Sequence, residues 1–532
     1  MRCPAAAPAT AIALVLCVLT MNARAAHASA QTGPSQTAPT GTLERIGGLL
    51  DRNDLGAATQ EVAAALKSFP SDPALLNLAG AIEAQSGATA AATSHFQAAI
   101  RLAPGVAAPY ENLGRLYQEQ SRSDPAARGK ALEVYQRLLA FDPQNVEGCY
   151  QSGFLLALDG KFAAARASLD RLPPDIRSQP QALTLTATVL EGVGDAAGAS
   201  DATARWMASA SRSAPDVLAL APAFSHLPDH TLEQRLLEAL DERQQATPDA
   251  LQQLGRVYMA TGRYKDARAV LERAARPAPG VPVLIDLARA ADKAGDHEGA
   301  LGYLAHARDL DPSNAGVHFL FGVVCVELDL VAEAYESLKK ALALDPDNAD
   351  FNYVMGSVAM HRHEPADSLP YLEKYLQLKP DDPRAHLALG VGRFNSGQFA
   401  AATADLQIAA KYPETEAGAR YFLGRVARQD GDLDQARREI ERSIQVSAVN
   451  ADVWAELGLI DTRQGRFADA ERDLDKALAL NPDNYLATVN LAALFTRTRD
   501  PRKDAQAAKL AALQEKRSAR AQDFLRTIEV VP

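Results

Sequence analysis

The run "HRHEP", His361 to Pro365, is the nearest this chain comes to a set of metal ligands or a peptidase signature. A zinc-peptidase helix needs two histidines four residues apart on one face, with a glutamate beside the first as general base. Here His363-Glu364 is followed, four residues after the histidine, by Asp367, and Pro365 breaks the helical spacing. His361 and His363 alternate at a helix end, the usual place for solvated side chains, so no metal and no cofactor is assigned. The sequence has no GxSxG elbow, no GxxxxGK phosphate loop and no GxGxxG after a strand. Its carboxylates are scattered along helical faces in the pattern of a solvated surface. Of the four cysteines, Cys3 and Cys17 belong to the N-terminal segment. Cys149 and Cys325 lack any CxxC or paired spacing and read as two buried, unpaired small hydrophobes.

What remains is positioning rather than catalysis. The chain has 532 residues, 47% hydrophobic but only 6% aromatic, so its apolar content is mostly Ala and Leu, which favour helix and close backbone packing. A net charge of -11 argues against a nucleic-acid binder, which would need a basic face to neutralise phosphates. At the N-terminus Arg2 precedes an apolar run through Thr20, then Ala28-Ser29-Ala30 stands before Gln31 at the spacing a signal peptidase accepts. Residues 1–30 therefore read as an export signal. The run is too short for a membrane anchor and carries Pro8. A lipid anchor at Cys17 is disfavoured by the large Leu16 before it. Residues 31–41, "QTGPSQTAPTG", read as a mobile leader. Nothing further along approaches a membrane span, so the expected location is exported, periplasmic or extracellular if the source is bacterial.

After the leader the chain repeats. Gly458 steps back by 34 residues to Gly424, Gly390, Gly356 and Gly322, and Gly255, Gly153, Gly114 and Gly80 hold the same local place. Unit starts fall near Pro39, Pro73, Ala107, Val146, Pro180, Ala214, Pro248, Val281, Ala315, Ala349, Pro383, Ala417, Ala451 and Tyr485. In the stretch "WAELGLIDTRQGRFADAERDLDKALALNP", Trp454, Leu457 and Gly458 form the first-helix pattern, Ala470, Leu474 and Ala477 the second, and Pro482 ends it. The unit at Pro248 shows Gly255, Tyr258, Ala267, Leu271, Ala274 and Pro279. This pattern resembles the tetratricopeptide repeat. Asp461 departs from it, standing where the family usually has Tyr. The resemblance implies an all-α, right-handed superhelical solenoid of stacked antiparallel helix pairs. Gly458 and Ala470 should mark the closest approach within a pair, Ala477 the next pair, and Leu457 and Leu474 the layer between.

The expected blocks are residues 42–247, with degenerate units near 180–247, residues 248–500 with regular units, and a capping helix and tail at 501–532. Two irregularities stand out. The insertion "SRSDPAARGK" lengthens the turn of the third unit, and Pro222 falls inside a first helix, where proline kinks.

The resemblance also implies a groove lined by first helices that binds a peptide or protein. Tracking the fifth, ninth and twelfth places of the central units gives Phe319, Val323 and Val326, then Tyr353, Ser357 and Met360. Next come Leu387, Val391 and Phe394, then Tyr421, Arg425 and Arg428. An apolar and aromatic strip ending in arginines suits protein recognition; burial between neighbouring units is the other reading. Family members that clamp a C-terminal carboxylate use Lys and Asn at places held here by Asn77, Glu111 and Arg115, so that function is not carried over. The expectation is a non-enzymatic, exported scaffold with an unidentified protein or peptide partner, in envelope complex assembly or polymer export. The alternative is an accessory repeat subunit of a separate enzyme such as a glycosyltransferase or peptidase. Carbohydrate stacking is a weaker reading, since only Trp206 and Trp454 could provide it.

Overall fold

The computed structural model describes the backbone of residues 37–276, 278–362 and 365–529. The expected export signal, the first part of the leader, the His363-Glu364 pair and the side chain of His361 lie outside the described residues. The chain divides into two compact units, one ending at Ala274 and the other beginning at Ala275. Among the described residues every regular element is helical.

The first unit opens with α1 (Thr40–Asp51) and α2 (Leu55–Ser68), α3 (Pro73–Gln85) and α4 (Thr89–Leu102), α5 (Ala107–Gln120) and α6 (Ala126–Phe141), and α7 (Val146–Leu158) and α8 (Phe162–Leu169). A single turn, α9 (Pro174–Arg177), leads to α10 (Pro180–Gly192) and α11 (Ala196–Ala208). Then come α12 (Ala214–Leu218), α13 (Ala221–Phe224) and α14 (Thr231–Glu242), followed by α15 (Pro248–Ala260) and α16 (Tyr264–Ala275). The second unit runs through α17 (Val281–Lys293) and α18 (His297–Leu310), α19 (Ala315–Glu327) and α20 (Val331–Leu344), and α21 (Ala349–His361) and α22 (Pro365–Leu378). It continues with α23 (Pro383–Asn395) and α24 (Phe399–Ala409), α25 (Pro413–Gln429) and α26 (Leu433–Val446), α27 (Ala451–Arg463) and α28 (Phe467–Leu480), and α29 (Tyr485–Thr498) and α30 (Lys503–Glu529).

Small residues set the spacing within each pair. A Cβ built on Gly458 would stand 2.6 Å from Leu474 Cγ and 3.1 Å from the Ala470 carbonyl oxygen, so α27 and α28 touch backbone to side chain there. The same clash arises between Gly255 and Leu271 at 2.5 Å and between Gly424 and Ile440 at 2.7 Å, sixteen residues on in each case. Ala470, Leu474 and Ala477 have no exposed surface, and Ala477 packs with Ala487 and Leu491 of the following helix. Both roles expected from the repeat are therefore present.

The turns are equally regular. Within α27–α28, Gly465 takes φ 79°, the left-handed conformation that ends a helix most easily without a Cβ. Between pairs an Asn caps the incoming helix: Asn348 Oδ1 accepts from the Phe351 amide at 3.3 Å, while its Nδ2 donates to Asp345 Oδ2 at 3.2 Å. Asn314 and Asn145 repeat both contacts. The fourth residue of the first helix then ties the turn down. Trp454 Nε1 donates to the Ala448 carbonyl at 2.9 Å, Asn352 Nδ2 to Pro346 at 3.0 Å, and Tyr110 Oη to Pro104 at 3.1 Å.

Three departures have local causes. Pro222 sits at the start of α13, and the helix expected from Ala214 is split into α12 and α13 because proline there withholds an amide from the preceding turn. The helix expected from Ala417 begins at Pro413 instead, with Glu414 and Glu416 favourably placed in its first turn. Asp461, in the tyrosine place, is fully buried and is reached by Arg466 Nε at 3.2 Å and Arg437 Nη1 at 3.7 Å, so an internal ion cluster replaces an aromatic ring. At the C-terminal end α30 lies against α29, where Gln506 Nε2 donates to the Thr488 carbonyl at 3.3 Å and Leu513 is buried.

Candidate functional site

The expected strip lies on α19, α21, α23 and α25, the first helices of four successive pairs in the second unit. Eleven of its twelve residues are half-buried, and only Val326 is exposed. This is neither the core nor an open surface: the side chains press on one another along the first-helix face and keep an edge in solvent. Phe319 stacks on Phe351 of α21 with ring centroids 4.7 Å apart. Tyr353 leans against Tyr375 of α22 at 4.9 Å, and Phe394 meets Phe422 of α25 at 5.5 Å. Met360 packs against the cluster of Leu369, Leu372 and Leu389, while Leu387 joins that of Ala402, Leu406 and Leu423. Val323, Ser357 and Val391 occupy the half-buried places between them.

The two arginines at the end of the strip differ. Arg428 forms an ion pair with Glu456 of α27, which is buried, and the arginine retains little exposure. It is spent on the stack and is not an open cation for a partner. Arg425 instead lies over three rings, 4.6 Å from the centroid of Phe394, 5.2 Å from Phe422 and 5.4 Å from Tyr421. No carboxylate among the described residues pairs with it, and its Nε is buried with no hydrogen-bond partner. Burial pushes the Tyr421 hydroxyl up to about 12, with the Arg425 guanidinium beside it pulling the other way. Held over the ring faces by their negative quadrupoles and hydrogen-bonded to the Tyr421 hydroxyl, the half-buried guanidinium has no carboxylate of its own.

Sequence reasoning missed Phe351, Tyr375 and Phe422, which complete these contacts. Phe422 follows Tyr421 directly and could have been found, since an aromatic pair beside an arginine one helical turn on, at Arg425, is itself a signal.

Other residues singled out from sequence serve the stack. Asn77 accepts from Asn112 Nδ2 at 3.0 Å, Glu111 from Asn145 Nδ2 at 3.1 Å, and Arg115 pairs with Glu147 at 2.8 Å, each between successive first helices. Trp206 has no exposed surface and Trp454 anchors a turn, which leaves the carbohydrate reading without a platform. Cys149 and Cys325 are free and buried, and burial raises both thiols, Cys325 to about 12. No group of three or more His, Cys, Asp or Glu with metal-ligand geometry occurs among the described residues. No helix among them is long and apolar enough to cross a membrane.

Models of the tetratricopeptide repeat match residues 48–107, 250–282, 293–356, 330–391, 387–451 and 451–484, together more than half of the chain. No curated protein sequence matches it. Among solved structures it is similar to the APC/C hetero-tetramer Cut9-Hcn1, at 14% identity over 84% of this chain and 95% of that one, with a TM-score of 0.41. It is also similar to a tetratricopeptide repeat protein from Parabacteroides merdae ATCC 43184, at 16% identity over 47% of this chain and 98% of that one, with a TM-score of 0.40. A third likeness is to PilW, a widely conserved type IV pilus biogenesis factor, at 23% identity over 40% and 98%, with a TM-score of 0.36.

Proposed function

The chain belongs to the tetratricopeptide repeat family, and from that premise we propose that it is a non-enzymatic, exported scaffold that binds a protein partner along the first helices α19 to α25. The observation that carries this reading is Arg425, held over Phe394, Tyr421 and Phe422 with no ion pair and a buried, unpartnered Nε. A guanidinium fixed on aromatic faces with no carboxylate of its own is well placed to receive one. The strip leading to it offers half-buried rings at Phe319, Tyr353 and Phe394, the residue types that anchor protein interfaces. The preferred partner is thus a protein segment that lays apolar side chains on the rings and a carboxylate on Arg425. Export rests on the charged residue, apolar run and Ala-x-Ala of residues 1–30. Envelope complex assembly or polymer export are the settings that match it.

Photo-crosslinking tests the reading. A p-benzoylphenylalanine in place of Val326, which is 39% exposed on the first-helix face, should form discrete protein adducts in cells. The same group in place of Leu344, 46% exposed at the end of α20, should not. Adducts at Leu344 alone would move the binding face elsewhere. The mature chain should start near Gln31, and an intact Met1 in the cytosol would remove the claim of export.

A further inference from the structure

A second charged place lies in the first unit, away from the strip, in a cleft of about 230 Å³ between α4, α5 and α6. Its floor is apolar, made by Ile100, Leu113 and Val134, and its rim carries Arg101 from α4 and Lys130 and Arg137 from α6. Glu133 is the one acid there. Among the described residues none of the three cations is engaged in an ion pair. Two of them lie against rings instead: Lys130 Nζ is 5.9 Å from the centroid of Tyr117 and the Arg137 guanidinium 5.4 Å from that of Tyr110. The Tyr117 hydroxyl, 3.5 Å from Gln97 Nε2, adds a polar group at the mouth.

Comparison with other pairs shows what is particular here. Clefts at the same place in the repeat occur between α18, α19 and α20 and between α24, α25 and α26. In the last of these, Arg420 is already neutralised by Glu439 at 2.9 Å and by Glu416 at 3.6 Å. In the second, Asp309 stands beside Arg308 and Lys340. Of these three clefts, the one in the first unit sets three unpaired cations against one carboxylate, and its Lys130 stands on α6 where the cleft between α24, α25 and α26 has Gln435.

We propose that this cleft binds a phosphate monoester, the phosphoryl dianion resting between Arg101, Lys130 and Arg137 and the organic substituent against the half-buried ring of Tyr117 at the mouth. The net charge of the rim, three cations against one acid, matches a dianion better than a single carboxylate, which one arginine satisfies. The Tyr117 ring distinguishes an ester from free phosphate, which has nothing to place against it.

The test is titration of the full chain with phenyl phosphate, followed by calorimetry. Saturable one-site binding is expected, weakened about tenfold or more by Arg137→Gln and by Lys130→Gln and insensitive to Arg420→Gln in the like-placed cleft. All three side chains on the rim are exposed, so circular dichroism should find these variants folded. Benzoate, with the same ring and a single charge, should bind about tenfold more weakly, and so should inorganic phosphate. Equal affinity for inorganic phosphate would overturn the assignment of an ester, equal affinity for benzoate that of a dianion. Absence of saturation, or undiminished binding in the Arg101→Gln, Lys130→Gln, Arg137→Gln triple variant, would overturn the site itself.

Discussion

At the scale of single residues, the fold depends on side chains that are absent or buried where a surface reading would not place them. The Cβ contact of 2.6 Å at Gly458 means that Gly458→Ala should cost about 1 to 3 kcal/mol by overpacking. Gly302, on α18 with open space around it, should give the opposite sign, since alanine in a helix interior gains about 0.5 to 1 kcal/mol over glycine. Urea melts of the two variants check the contrast. Arg428→Ala should lose about 3 to 5 kcal/mol because it strands Glu456 in the core, and Arg428→Met with Glu456→Met should recover most of that. Asp461 gives a pH signature. Burial is the largest influence on its carboxyl and raises it above the ordinary carboxylate range, against the pull of Arg437 and Arg466 and with Asp469 adding to the rise. Its neighbour Asp473 is raised likewise. A raised carboxyl binds its proton more readily in the native state, so its contribution is fully present below the unfolded value, near ~3.9, and is lost as pH climbs through the native one. Asp461→Asn, which stays neutral, should therefore gain in melting temperature over the parent as pH rises from about 4 to about 7; a constant difference would mean that the carboxyl is not perturbed.

At the scale of elements, the sequence was most legible where one residue type has one physical job. The glycine at the closest approach and the 34-residue spacing together place helix starts at Pro73, Val146, Pro248, Ala315 and Ala451, where the helices do begin, capped by Asp72, Asn145, Thr247, Asn314 and Asn450. It was least legible where two causes compete. At Ala417 the repeat frame was outweighed by Pro413 and its acidic first turn, which begin α25 earlier. On the candidate strip, the fifth, ninth and twelfth places of the first helix found the arginines but could not tell that Arg428 reaches a buried Glu456 on the next pair while Arg425 does not, because that depends on contacts between units. The same half-burial modifies the energetics expected of the strip. Tyr353 shares its ring face with Tyr375 and Phe394 with Phe422, so Tyr353→Ala and Phe394→Ala should each lower stability by less than Leu457→Ala. Leu457 is 5% exposed between α26 and α27 and should lose about 2 to 5 kcal/mol. If Tyr353→Ala costs as much as Leu457→Ala, the strip is core and not a binding face.

At the scale of the whole molecule, a chain of repeats in which each helix pair touches its neighbours in sequence has no single core to hold it, and it opens first where a neighbour contact is weak. The two compact units differ in this respect. The first contains the one-turn α9 and the helix split at Pro222 into α12 and α13, so part of its stack has no continuous first helix. In the second, continuous helix pairs run from α17 to α30. The two buried thiols sit one in each unit and report on them separately. Cys149 lies on α7, which packs on α8, α10 and the short α13, next to the interrupted region. Cys325 lies on α19 in a cluster with Leu338, Met355 and Val358. Both are buried with thiol pKa values raised, so neither should react in the native protein. On raising urea, a thiol reagent followed by mass spectrometry of the two peptides should modify Cys149 at a lower concentration than Cys325. Simultaneous modification would mean that the split helix is no weaker than the regular pairs, and that the two units open in one cooperative step.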